Sequence, residues 1–172
     1  PLSAQYLGWL AGFVRGDWGV SLSTGEAVLG LVAGRLRNSS LLALAAFALY
    51  VPLGVLLALA AALRRGKALD QLISVGSLAF TGLPEFVTGT LLIAVFAVRL
   101  RWLPASSAVA PDARLAEMLP RLVLPALTVS LVSLAYVARM TRSTTVEVLA
   151  APYVRTAWLK GLPPLRVLFA HV

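Results

Sequence analysis

Residues 38–63 read NSSLLALAAFALYVPLGVLLALAAAL, and none of these 26 residues is charged. At a rise of about 1.5 Å per residue, a helix of this length extends about 39 Å, more than the bilayer's hydrocarbon core of about 30 Å requires. Pro52 lies near the middle of the run. Neighbouring helices can satisfy the carbonyl that a proline frees, so we interpret Pro52 as a packing kink. The stretch predicts a transmembrane helix.

A second apolar run, 71–98, carries one charge, Glu85, at its centre beside Pro84. A central acid costs about 2.5–3.5 kcal/mol on the insertion scale, whereas each Leu, Ile, Val or Phe contributes up to about −0.3 to −0.6 kcal/mol. The run holds 14 such residues, so insertion is still favoured. Because its 28 residues exceed a straight crossing, we expect a tilt, a kink at Pro84 or a start outside the core.

A third run, 122–138, has 17 uncharged residues, the lower limit for a span. Pro125 near its start is typical of a first helical turn. Together the three runs, about 38–63, 71–98 and 122–138, predict an all-α, polytopic helical bundle in a membrane.

Composition supports lipid as the solvent. The chain has 172 residues, 59% hydrophobic and 13% charged, against about 45–50% and 25% in soluble domains. The absence of cysteine excludes a disulfide framework, and the single histidine, His171, cannot form a zinc site alone, so we expect no metal. The net charge of +8 comes from residues at the ends of apolar runs, which favours lipid contact and argues against nucleic-acid binding.

Charge also predicts the orientation. Three crossings leave 1–37 and 99–121 on one side, with seven basic residues in 60 positions, and 64–70 and 139–172 on the other, with eight in 41. The second, more basic side is predicted to be cytoplasmic. The predicted parts are an extracellular or periplasmic segment 1–37, a transmembrane region 38–142 and a cytoplasmic loop 143–172.

The first part contains several aromatic residues among glycines. Tyr6, Trp9 and Trp18 are typical of a helix lying on the membrane face, followed by a loop, although an ordinary extracellular loop explains them equally well. The segment shows no signal peptide. With Pro1 outside the cell, we expect an earlier crossing and interpret the chain as an internal fragment.

The chain lacks the residues that common enzymes need. Its one Gly-Lys pair, Gly66-Lys67, is followed by Ala68, and Ala61 stands where a phosphate-binding loop needs its first glycine. Glu85 is the sole acid in the three runs, so paired carboxylates are missing there. We expect no catalytic residue and no nucleotide hydrolysis in this chain.

The basic tail contains a short amphipathic helix. Helical spacing places on one apolar stripe Val154, Ala157, Trp158, Gly161, Leu162 and Leu165. Gly161 followed by Pro163 and Pro164 predicts an abrupt end. From physics alone, the helix is either a docking element for a partner or a juxtamembrane helix on anionic lipid.

Four motifs occur in order along the chain. They are GDWG at 16–19 with Ser21, LPEF at 83–86 with Gly89, RWLP at 101–104 and YVRTAWLKGL at 153–162. Together they resemble the permease subunits of bacterial ABC importers, in the dipeptide, oligopeptide and nickel branch. Arg155, Thr156 and Ala157 occupy the places of the family's Glu-Ala-Ala, and Gly161 that of its glycine. Pro152 and Ala170 depart from the branch's pattern of Asp and Arg there.

The resemblance implies a six-helix subunit of a bacterial inner or cell membrane, with helices two to four present here. It implies a homologous second permease, two cytoplasmic ATPase subunits that use ATP, and an external solute-binding protein. The implied function is part of the translocation path for peptides or similar small solutes. The alternative is a secondary transporter or passive membrane subunit that is not coupled to an ATPase.

Two groups of candidate site residues follow from these motifs. The implied ATPase-coupling loop consists of Tyr153, Arg155, Thr156, Ala157, Lys160, Gly161 and Leu162. In it, the small Ala157 and Gly161 would allow close approach to the ATPase, and Arg155 and Lys160 would pair with its acids.

The second group, Pro84, Glu85, Phe86 and Gly89, is interpreted as a pathway element or a helix break. Glu85 can face the path and meet a peptide amine or another cation. Alternatively, it can satisfy backbone groups at the break beside Pro84, the interpretation that we favour from sequence.

Overall fold

The structure, a computed structural model, describes residues 1–109, 113–163, 166–167 and 170. Among these residues the only strand-like pairing is one isolated bridge between Val20 and Ala27. The helices are α1 (Leu2–Val14), α2 (Val28–Leu63), α3 (Ala68–Gly82), α4 (Glu85–Leu92) with its π-helical continuation Ile93–Arg99, α5 (Leu115–Leu149) and α6 (Pro152–Leu159). The all-α membrane bundle predicted from the sequence is confirmed.

The long helices α2 and α5 extend beyond the apolar runs within them. α2 has 36 residues and includes Arg35 and Arg37, and α5 has 35 residues. Charges bound the predicted runs, but a helix continues past charged residues because its backbone hydrogen bonds are unaffected by them. The expectation that Pro125 lies in a first helical turn is wrong, because α5 begins at Leu115 and Pro125 lies inside it.

The second apolar run is broken at Pro84. α3 and the helix that follows it meet at an angle of 104°. Leu83 and Pro84 between them have extended ψ values of 130° and 139°. Proline lacks the N–H that would continue the helix, and it disfavours helical geometry in the residue before it. Of the three arrangements expected from sequence, the structure shows the break at Pro84.

Contacts between α2 and α5 show that the two helices run in the same direction. The Ser130 hydroxyl donates a hydrogen bond to the carbonyl of Ala46, at 3.3 Å. Eight residues further along α2, Gly54 packs against Val137. At the ends of both helices, Ala62 lines a small cavity with Leu149. Residue numbers therefore increase together along the interface.

The chain from α3 to the π-helical segment runs the other way along α5. It begins with Asp70, which pairs with Arg142. Gly89 then lies against Thr128, and Ile93 lines a cavity with Leu124. From residue 142 to residue 124, α5 extends about 27 Å, close to the thickness of a hydrocarbon core. Although it is bent, the pair formed by α3 and the helix after the break therefore extends over about the thickness of a hydrocarbon core.

Helix packing in this bundle depends on small side chains. The buried residues of α2 include Ala46, Gly54 and Ala58. Small residues allow close backbone approach, which drives helix association in lipid. Many large apolar side chains are exposed instead, among them Leu56 and Leu72. An apolar exterior of this kind suits contact with lipid or with other membrane subunits.

Gly54 provides a stability test of this packing. A Cβ atom there would lie 2.9 Å from Cγ1 of Val137, so Gly54→Ala forces the branched side chain to move. We expect a loss of about 1–3 kcal/mol, as is typical of overpacking. The control is Gly76→Ala in α3, where a Cβ meets nothing within 4 Å. Thermal unfolding of the purified protein measures both, and equal stability of the two variants would contradict the packing.

The chain forms two compact units, 1–43 and 44–172. In the first unit, the rings of Tyr6, Trp9, Phe13 and Trp18 form a row with successive centroid distances of 6.0, 5.5 and 5.0 Å. α1 has no buried residue. Exposed aromatic rings on a short helix are typical of segments at a membrane interface.

Candidate functional site

The amphipathic helix predicted in the tail is α6. Two residues separate it from the end of α5. Pro152 occupies its first turn, where a missing N–H costs nothing. The helix ends at Leu159, and Gly161, two residues later, has a φ of +74°, in the left-handed region that glycine adopts readily. The departure at Pro152 is therefore compatible with a regular helix start.

One face of α6 is buried against its own chain. Val154 and Ala157 have exposures of 0% and 7% and form a cluster with Val167. Val148, Leu149, Ala151 and Leu162 surround this cluster. Leu165, which the sequence analysis placed on the same stripe, lies outside the described residues. Apolar burial thus fixes α6 to the end of α5.

In the structure, Ala157 belongs to the chain's own apolar cluster. The close approach to a partner expected at this residue stays a prediction. Gly161 is exposed, and a Cβ there would meet nothing within 4 Å.

The opposite face of α6 is exposed. Leu159 and Tyr153 are 81% and 54% exposed, and Trp158 is 42% exposed. The other exposed members of the predicted coupling loop are Arg155, Thr156, Lys160 and Gly161. We call this exposed set, Tyr153, Arg155, Thr156, Trp158, Leu159 and Lys160, the outer face of α6. It combines apolar side chains with two positive charges, a composition that suits an acidic, partly apolar partner surface.

An ion pair that the sequence analysis did not single out lies near the same end of α5. The Arg142 guanidinium binds both carboxylate oxygens of Asp70, and Nη2 lies 2.6 Å from Oδ2. Asp70 also accepts a hydrogen bond from the N–H of Gly66 at 2.9 Å. Bidentate arginine–carboxylate pairs are geometrically specific. This ion pair joins the turn after α2, the start of α3 and the segment of α5 that leads to α6.

A sequence signal for this pair existed. Asp70 immediately precedes the run 71–98, and Arg142 follows the run 122–138 by four residues. Both were predicted on the same side of the membrane. Two opposite charges at the same ends of antiparallel spans are candidates for pairing, but the rotation of each helix decides which charges meet.

The second group of predicted residues lies around an open cleft beside the helix break. Glu85, Phe86 and Gly89 line it, together with Thr90, Ile93 and Thr128. Its volume is about 560 Å³, and it is wide open to the exterior of the chain. Pro84 precedes α4 and sets its start. We call this space the Glu85 cleft.

Gly89 allows α4 to approach α5 at the cleft. A Cβ at Gly89 would lie 3.2 Å from Cγ2 of Thr128, so a larger residue there would require the Thr128 side chain to shift by a few tenths of an ångström. Along α5, Thr128 lies about 21 Å from Arg142, given the helical rise. The Glu85 cleft and the outer face of α6 are therefore separate sites, connected by the intervening length of α5.

Both threonine hydroxyls that line the cleft donate their hydrogen to a backbone carbonyl four residues earlier. The Thr90 hydroxyl donates to the carbonyl of Phe86 at 2.7 Å, and the Thr128 hydroxyl donates to that of Leu124 at 2.8 Å. Within the described part of the chain, we find no hydrogen bond or ion pair of the Glu85 carboxylate. Nor do the described residues include a group of three or more potential metal ligands.

Comparison with known proteins identifies the family of the chain. Residues 50–172 match the family model of the binding-protein-dependent transport system inner membrane component. The chain is 36% identical to the Probable peptide ABC transporter permease protein y4tP of Sinorhizobium fredii, over 99% of this chain and 55% of that protein. It is 36% identical to the Di/tripeptide transport system permease protein DppB of Pseudomonas aeruginosa, over 99% and 57%.

A third relative is the Oligopeptide transport system permease protein OppB of Salmonella typhimurium, which is 37% identical over 99% of this chain and 54% of that protein. The chain spans about half the length of the curated relatives it matches. The resemblance inferred from the four motifs is confirmed by the family match and by these relatives. The chain belongs to the family of binding-protein-dependent transport system inner membrane components.

Proposed function

We propose that this chain is part of the permease subunit of an ATP-driven importer for peptides or similar small solutes. Membership of the transport family supports the general activity. The names of the relatives, which refer to peptides, dipeptides, tripeptides and oligopeptides, support the substrate class. The chain itself forms part of the path, and the hydrolysis of ATP takes place in partner subunits.

The proposed subunit crosses a bacterial inner membrane three times within the described helices. α2 and α5 run in the same direction, so the chain between them has to return to the side from which α2 started. The pair formed by α3 and the helix after the break covers that distance along α5. The bent pair is thus one broken span, and the more basic side, which carries α6, is cytoplasmic.

The outer face of α6 is the observation that carries the proposal. A short helix is fixed by Val154 and Ala157 at the end of a membrane-spanning helix, while Leu159 and Tyr153 extend away from the chain. Exposed aromatic and leucine side chains beside positive charges serve well as anchors for a protein partner. We assign this face to one of two cytoplasmic ATPase subunits.

Coupling then has a mechanical route. ATP-driven closure of the ATPases pushes α6, and α5 transmits that displacement because the buried cluster ties the two helices together. The ion pair between Asp70 and Arg142 passes it on to α3. A homologous second permease completes the path, and an external solute-binding protein delivers the solute. The helices alternate between inward-open and outward-open arrangements.

Leu159→Asp tests the function in the complete transporter. Because Leu159 is 81% exposed, the aspartate costs the fold little, but it places a carboxylate in the proposed apolar contact. We expect binding of the ATPase subunit and ATP-driven import in proteoliposomes to fall about tenfold or more. The matched control is Leu22→Asp, at an exposed leucine in the segment predicted to be external, which leaves both unchanged.

Two results would contradict the proposal. If Leu159→Asp retains full ATPase binding and full import, α6 is not the docking element. Import that continues without any ATPase subunit would instead indicate a secondary transporter or a passive membrane subunit.

A further inference from the structure

The Glu85 cleft lies at mid-membrane depth. Thr128, against which Gly89 packs, is two residues from the centre of the predicted span 122–138. Non-helical backbone at that depth, like that at Leu83 and Pro84, occurs where it is covered by protein or lines a water-filled cavity. The break and the open cleft beside it fit the second situation.

Glu85 is exposed in this chain and is the sole acid of its apolar run. Intramembrane acids are rare, and they face a bundle interior or a water-filled path instead of lipid. An alternative is that its carboxylate satisfies backbone N–H groups at the break. Among the described residues, however, the N–H groups of Val87 and Thr88 bond to the carbonyl of Pro84, and α4 has no side-chain cap.

The side chains that line the cleft present hydrogen-bond acceptors. A threonine hydroxyl has a single hydrogen, and those of Thr90 and Thr128 are already donated to backbone carbonyls. Each therefore offers only lone pairs to the cleft. An ionised carboxylate at Glu85 likewise accepts without donating. The complementary ligand is a group rich in donors, and the negative charge selects a cationic one.

No basic side chain lines the cleft in the described part of the chain. Arg121 lines the neighbouring cavity, which shares Ile93 and Thr128 with the cleft. Its guanidinium donates a hydrogen bond to the carbonyl of Ala108. The basic side chain closest along α5 thus bonds to the segment that contains Ala108, and within the described residues Glu85 has no hydrogen bond or ion pair.

We propose that the Glu85 cleft is a binding site for a primary ammonium group in the translocation path. This inference rests on the proposed function and specifies which part of the solute the chain contacts. Glu85 accepts the ammonium's hydrogen bonds, with Thr90 and Thr128 as additional acceptors, and the exposed Phe86 also lines the cleft. A carboxylate of the solute would meet acceptors only and is excluded. The ammonium comes from a peptide's N-terminus or from a lysine side chain.

Glu85→Gln in the complete transporter tests this ammonium-binding site. Import of the peptides Ala-Ala-Ala and Ala-Lys-Ala is measured in proteoliposomes with a saturating, unmodified binding protein. The amide keeps the size and hydrogen-bonding capacity of Glu85 but removes its charge, so a role limited to capping the break would survive. We expect import to fall about tenfold or more, as for loss of a charge-assisted contact, and Glu85→Asp to restore part of it.

The two peptides distinguish the sources of the ammonium. A fall for both supports recognition of the N-terminus, and a fall for Ala-Lys-Ala alone supports recognition of lysine. The control is Glu117→Gln, the same change at an exposed acid in the first turn of α5, which leaves import unchanged. Stimulation of ATP hydrolysis by the loaded binding protein should persist in Glu85→Gln, because α6 is intact.

Unchanged import of both peptides by Glu85→Gln would overturn the proposed ammonium-binding site, but it would not contradict the proposed function. Equal losses in Glu85→Asp and Glu85→Gln, without recovery, would also overturn it, because charge would then not be the cause. If the wild-type transporter imports neither peptide, the proposed substrate class is wrong, and the ammonium-binding site that rests on it is wrong as well.

Discussion

Replacing Arg142 by alanine is expected to reduce ATP-driven import more strongly than replacing its partner Asp70 by alanine. The side chains of Arg142 and Asp70 are 26% and 6% exposed. Arg142→Ala leaves a buried carboxylate with hydrogen bonds from Gly66 and Ser74 but no countercharge. Asp70→Ala leaves a guanidinium that can reach water. Removing one partner of a buried pair is costly because the other charge remains uncompensated.

The measurement is ATP-driven import together with thermal unfolding of the purified transporter. For Arg142→Ala we expect import to fall about tenfold or more, with a lower unfolding temperature and a smaller loss for Asp70→Ala. The neutral double variant Asp70→Asn/Arg142→Gln should be milder than Arg142→Ala, since no unpaired charge remains. The reverse order of the two single variants would contradict the assigned burial of Asp70.

Val154→Asp is expected to detach α6 from α5. Val154 is fully buried in the cluster with Ala157 and Val167. The substitution removes about 1.5–3 kcal/mol of apolar burial and adds the cost of a buried carboxylate. The outer face of α6 then loses its fixed position, and ATPase-driven import should fall to background. Val154→Ala, which keeps the site apolar, should retain most of it.

Detachment can be measured directly because the chain contains no cysteine. A cysteine at Ala157 should react slowly with an impermeant maleimide in the otherwise wild-type chain and much faster beside Val154→Asp. A cysteine at Leu159 is the control. It should react rapidly in both when the permease is labelled without its ATPase subunits, because the proposed docking would otherwise cover it. If Ala157→Cys reacts as fast as Leu159→Cys before the second substitution, the inward face of α6 is assigned incorrectly. Reaction from the external side would contradict the cytoplasmic position.

The predicted coupling loop shows how much of a local structure the sequence can predict. A motif indicates Arg155, Thr156, Ala157 and Gly161, and glycine's freedom at positive φ predicts that α6 ends shortly before Gly161. The sequence pattern also indicated that α6 is amphipathic. It left open whether the apolar stripe packs inward or outward, since both arrangements bury it. Contacts with Val148 and Leu149 place Val154 and Ala157 inside.

Composition and the uncharged runs were enough to establish that this chain is a helical membrane protein, because transfer of apolar residues into lipid depends on each residue almost independently. Motifs were enough to indicate its family. The pairing of Asp70 with Arg142, the inward face of α6 and the acceptors around Glu85 required the folded chain. Each depends on the rotation and register of separate helices, which are fixed by packing between residues distant in sequence, such as Gly54 on Val137.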